Sequence, residues 1–169
     1  MARLLLKADG SAVADTWRHA ADESELAGDD PVFVSLDLWR THRNRLQGRQ
    51  VGLRLANDQS PAEINEDIGR FAAIALEFPA FKDGRAFSAA RLLRERLGYT
   101  GEVRAVGQVL IDQALFMQRC GFDAFEVAEG EDPEAWQRAL SQFSVFFQPT
   151  GDGRASAISR RHTRPVTAA

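Results

Sequence analysis

The side chains of this sequence that could do chemistry gather in residues 81–123: Asp83, Arg85, Ser88, Arg104, Gln108, Asp112 and Arg119. Asp83 and Asp112 are candidate acid–base groups. The planar forks of Arg85, Arg104 and Arg119 match an oxyanion, whether sulfite, sulfate, phosphate or a carboxylate. The Ser88 hydroxyl and the Gln108 amide can orient a bound group, although an amide serves as neither acid nor base. Asp83-Gly84-Arg85 stands just before a helical pattern, where free backbone N–H groups and the helix dipole also favour an anion. Ordinary structural readings stand beside these. Asp83 and Arg85 could brace a turn, Arg104 could meet Asp112 so that no charge is buried alone, and Asp112 could lie on a solvated helix face.

Other features narrow the chemistry. Cys120 is the single cysteine, which excludes an intramolecular disulfide, a CxxC pair and a self-contained iron–sulfur cluster. Between Arg119 and Gly121, at a predicted helix C-terminus, it reads as a buried structural thiol. His19, His42 and His162 are scattered without metal-ligand spacing, so no metal site is expected. There is no GxGxxG, Walker A or GxSxG motif, hence no NAD or flavin fingerprint. The net charge of −3 divides into −6 up to Pro149 and +3 from Thr150 to Ala169. An acidic body argues against nucleic-acid binding. No run approaches the roughly 20 apolar residues of a membrane helix. Met1–Lys7 is too briefly apolar for a signal peptide and reads as a first strand, so a cytoplasmic protein with no membrane or nucleic-acid partner is expected.

Short apolar runs predict strands at Val32–Leu36, Val51–Leu55, Phe71–Glu77, Glu102–Val106, Ala124–Val127 and Val145–Phe147, several of them buried on both faces. Caps predict the helices between them. Asp37 would start Leu38–Gln47, and Ser60-Pro61-Ala62-Glu63 is a capping box with proline at its first position. Ser88 would cap Ala89–Leu97, with Phe87 and Leu92 as a staple and Gly98 closing the end. Arg91 and Glu95 on that helix have ion-pair spacing. Leu110, Ala114 and Met117 share a core face, and Asp132-Pro133 opens a helix that buries Trp136, Leu140 and Phe143.

The alternation predicts one α/β domain over 1–149, a mainly parallel sheet of βα units, followed by a flexible basic tail over 150–169. Near-regular repetition without a long reversing connection favours an incomplete TIM-barrel-like sheet, the alternative being an open doubly wound one. A closed eight-fold barrel needs about 250 residues. A homodimer could cover exposed sheet edges. Either architecture places ligands at the carboxyl ends of strands, here Asn57-Asp58, the loop Phe78–Ser88, Gly107-Gln108 and Ala128-Glu129.

The runs Phe81–Ser88, Leu92–Tyr99, Gly101–Gly107, Val109-Leu110, Asp112-Gln113 and Arg119–Asp123 resemble a bacterial family of unknown function. Its members are typically encoded beside assimilatory sulfite reductase, and some are labelled probable oxidoreductases of sulfite reduction. Weaker similarity extends from about Val32 to Phe143. The resemblance implies a pathway rather than a mechanism, and makes Asp83, Arg85, Ser88, Arg104, Asp112 and Arg119 motif positions. Gln108 stands where many relatives are expected to carry Asp. The leading expectation is an accessory protein of sulfate or sulfite reduction, binding an oxyanion or sulfite reductase itself. The alternatives are an oxidoreductase or small-molecule enzyme using Asp83 or Asp112, and a structural subunit without catalysis.

Overall fold

The apolar runs become strands of one eight-stranded sheet in the computed structural model, which describes residues 3–162. The end of the predicted tail, residues 163–169, lies outside the described residues. The strands are β1 (Arg3–Lys7), β2 (Ala12–Val13), β3 (Arg18–His19), β4 (Val32–Ser35), β5 (Val51–Leu55), β6 (Ala73–Phe78), β7 (Glu102–Gly107) and β8 (Ala124–Ala128). The helices are α1 (Leu36–His42), α2 (Arg85–Arg91), α3 (Ala114–Cys120), α4 (Pro133–Leu140) and α5 (Ala157–His162). The α/β class holds. The sheet is mixed, however: β3 to β8 pair in parallel in chain order, while β1 returns antiparallel between β8 and β2. The N-terminal run forms a hairpin that pairs with the last strand, a long-range choice that local patterning does not encode.

Connectivity bends this sheet. β2 and β3 are its opposite edge strands, yet only residues 14–17 join them. Eight flat strands would separate those edges by about 34 Å, and a link of this length reaches roughly 18 Å. The sheet is therefore curled into a half-barrel, with residues 14–17 strapped across its hollow side. Alternating residues divide accordingly. Val32, Val34, Leu53, Ile74, Leu76, Val103, Ala105 and Phe125 point outward to the main core, which Trp39, Ala90, Leu93, Met117, Trp136 and Leu140 of α1 to α4 and the adjoining π turn cover. Phe33, Ala73, Ala75 and Val106 point inward, under Trp17 of the strap.

Several local expectations shift. Val145–Phe147 is loop rather than strand, with Phe147 77% exposed. Helix α1 starts at Leu36 and is capped by Ser35, whose Oγ accepts from the Leu38 amide; Asp37 falls in the first turn. The Ser60/Glu63 capping box forms, but it opens only the short 3-10 turn Pro61–Ile64. Helix α2 starts three residues before Ser88, with Gly84 at its cap, and continues as the π turn Leu92–Arg96. Trp136 and Leu140 are buried as predicted, whereas Leu110 and Phe143 are exposed. Asp132 caps α4 by accepting from the Glu134 amide. Among the described residues, no helix is long and apolar enough to cross a membrane.

Candidate functional site

Two loops at the carboxyl ends of β5 and β6 build a cavity of about 260 Å³ lined by Asn57, Asp58, Ser60, Glu77, Arg85 and Ser88, with Leu55, Leu76 and Leu92 as its apolar wall. The first loop is tied by Gln59, whose Oε1 accepts from the Ala56 amide at 3.0 Å. The second is tied by Gln108, whose Oε1 accepts from the Phe81 amide at 3.2 Å. Gly107 makes that tie possible. Its φ is +95°, and a Cβ there would lie 2.4 Å from the Phe78 carbonyl oxygen.

Asp83 organises the loop before α2. It accepts from the Arg85 amide at 3.2 Å, from Arg85 Nε at 3.0 Å and Nη2 at 2.6 Å, and from Asn57 Nδ2 at 2.5 Å. The Arg85 fork, then the Arg85 amide, hold its carboxyl well below the ordinary carboxylate range, and Asp83 in turn raises the Arg85 guanidinium. Arg85 Nη1 has no partner among the described residues, and 60% of the Arg85 side chain is exposed.

The remaining sequence candidates do not converge on this cavity. Arg104 is wholly buried on the inner face. It pairs with Asp15 Oδ2 at 2.8 Å and Glu102 Oε1 at 2.9 Å, with the Phe33 ring 4.9 Å away, rather than with Asp112. The buried guanidinium takes its carboxylates from the strap and from its own strand. Asp112 is exposed in the turn Ile111–Gln113. Arg119 is buried elsewhere: it pairs with Asp152 at 3.1 Å, donates to the Gln148 carbonyl at 2.7 Å and lies 3.8 Å over the Phe146 ring. It thereby fastens part of the predicted tail, whose residues Ala157–His162 form α5. Cys120 is buried, and burial raises its thiol pKa.

The inner face carries a second polar cluster that spacing could not reveal. Arg3 pairs with Glu126, Lys7 with Glu102, and Arg54 with Glu77 at 3.0 Å. His19 stacks on Phe33, ring centroids 4.9 Å apart, and its Nε2 is 3.3 Å from Glu126 Oε2. Burial, assisted by Arg54 and Arg104 and opposed by Asp15, pushes the His19 pKa down to about 4, so the imidazole is neutral. The only sequence signal was the alternation itself: Arg54, Glu102, Arg104 and Glu126 occupy inward positions of strands whose outward positions are apolar.

A family model described as a bacterial protein of unknown function (DUF934) matches residues 52–158. That range contains every lining residue of the strand-end cavity and leaves out the strap. No curated protein and no solved structure matches the chain.

Proposed function

The chain belongs to this bacterial family of unknown function, and from that premise we propose a binding protein of assimilatory sulfate or sulfite reduction. It holds a small oxyanion in the strand-end cavity, or presents that end of the sheet to sulfite reductase. One observation carries the reading. Arg85 is anchored by Asp83 through Nε and Nη2 at the wall of the cavity, with Nη1 unspent and Ser88 and Asn57 on the same lining. A pre-positioned guanidinium loses little freedom on binding an anion. Its partner Asp83 already neutralises it, so affinity is on the order of millimolar. Acid–base catalysis by Asp83 has less support, because a carboxylate held so far below neutrality is a weak base. The pathway assignment rests on the family resemblance of the Phe81–Ser88 and Gly101–Gly107 runs. We read the protein as cytoplasmic and the curl as an incomplete TIM-like barrel; chain-ordered parallel strands under outer helices support the barrel.

The test is thermal unfolding with sulfite, sulfate or phosphate at about 10 mM against chloride at equal ionic strength. A rise of about 3 °C with at least one of them is expected, and Arg85→Ala should abolish it while far-UV circular dichroism is unchanged. If no anion shifts the transition, and neither co-purification with sulfite reductase nor growth on sulfate depends on the protein, the proposal is wrong.

A further inference from the structure

We infer that Asp15, His19 and Glu126 form a divalent-cation site on the inner face of the curl, separate from the strand-end cavity and independent of its proposed role. The strap delivers Asp15, β3 delivers His19 and β8 delivers Glu126. One ligand atom from each lies within 4.8 Å of the other two.

Proximity of acidic groups is commonplace; the buried, unpartnered atoms are not. Glu126 is 3% exposed, and its Oε2 has no hydrogen-bond partner among the described residues. Both nitrogens of His19 are in the same condition. His19 Nε2 and Glu126 Oε2 face each other at 3.3 Å without the alignment of a hydrogen bond. An imidazole nitrogen and a carboxylate oxygen so placed call for a proton or a metal cation between them. Tetrahedral zinc with bonds near 2.0–2.1 Å separates its ligand atoms by roughly 3.4 Å, close to the His19–Glu126 spacing, with Asp15 within 4.8 Å of both.

The surroundings hold these ligands as metal sites usually do. Asp15 accepts from the Trp17 amide at 3.1 Å and from Arg104, and the second oxygen of Glu126 is held by Arg3. The His19 ring is fixed by stacking on Phe33. A cavity of about 280 Å³ lined by His19, Ala20, Phe33, Ser35 and Arg54 borders the imidazole member of the cluster. One imidazole and two carboxylates suit Zn²⁺, Mn²⁺ or Fe²⁺ better than Ca²⁺, which prefers oxygen ligands alone. Arg3 and Arg104 already pair with the two carboxylates and so weaken the site for a cation.

Full-length protein stripped with chelator and titrated with Zn²⁺ and with Mn²⁺ by calorimetry tests the site. Uptake of about one equivalent is expected, and Co²⁺ should give a visible d–d spectrum with an imidazole ligand. His19→Gln should weaken uptake roughly tenfold or more and change the Co²⁺ spectrum. This variant should fold, because the ring nitrogens have no partner to lose; near-UV circular dichroism checks that. His42→Gln, a histidine outside the cluster, should leave both readouts unchanged. Asp15→Asn gives a second arm only where near-UV circular dichroism shows that weakening the Arg104 pair leaves the fold intact, and Glu126→Gln, which disturbs the Arg3 pair, is held to the same check. Stripped protein that takes up none of the three ions, or uptake and a Co²⁺ spectrum that survive His19→Gln, overturns the inference.

Discussion

Arg104 has no solvent exposure, and two carboxylates, Asp15 and Glu102, meet its guanidinium over the Phe33 ring. Removing it leaves Asp15 of the strap without its cation, while Glu102 keeps Lys7, and breaking such a buried pair costs about 3–5 kcal/mol. Arg104→Ala should therefore lower the unfolding free energy by roughly 3 kcal/mol in urea titrations. Combined with Asp15→Ala, the loss should be less than the sum of the two, since the second change removes a charge already orphaned. Cys120 gives a second expectation at this scale. Its thiol is buried with its pKa raised by that burial. Its reaction with an aromatic disulfide at pH 8 should be at least about a hundredfold slower in native protein than in urea. The burial of Cys120, the Arg91–Glu95 pair and the Asp132 cap were legible in the sequence because each depends on neighbours within a few positions. The His19–Glu126 encounter was not, because its members come from opposite ends of the chain and meet only when the sheet curls.

At the scale of elements, strand positions were read well and helix starts less so. Strands β5, β7 and β8 lie within a residue of their predicted bounds, since apolar β-branched runs bounded by turns have few other uses. Ser88 was misassigned as a cap because Asp83 accepts the Arg85 amide and starts α2 three residues earlier. Gly52 on β5 shows how one residue type admits a neighbouring element. A Cβ there would lie 2.5 Å from the Phe33 ring and 3.0 Å from Trp17. Gly52→Ala should displace the strap and destabilise the fold by about 1–3 kcal/mol by calorimetry, with Trp17 fluorescence shifted to the red. The Arg119–Asp152 pair similarly fastens α5 and the loop before it. Arg119→Ala should release residues after Gln148 to proteolysis at low protease ratios, while the transition of the sheet moves by less than about 2 kcal/mol.

For the whole molecule, βα alternation announced the α/β class and the chain-ordered parallel strands, but the antiparallel return of β1 was invisible. Met1–Lys7 reads as a strand whichever edge it joins, and only three-dimensional closure decides. That pairing sets Arg3 opposite Ala128 and Lys7 opposite Ala124. A ribosome making this protein thus releases β1 long before its only continuous neighbour besides the β2 hairpin exists. β1 must wait, with only β2 beside it, until β8 has emerged. Closure of the sheet on β1 is consequently a late event in synthesis, and until then the edge of Leu4, Leu5 and Leu6 that β8 covers stays open.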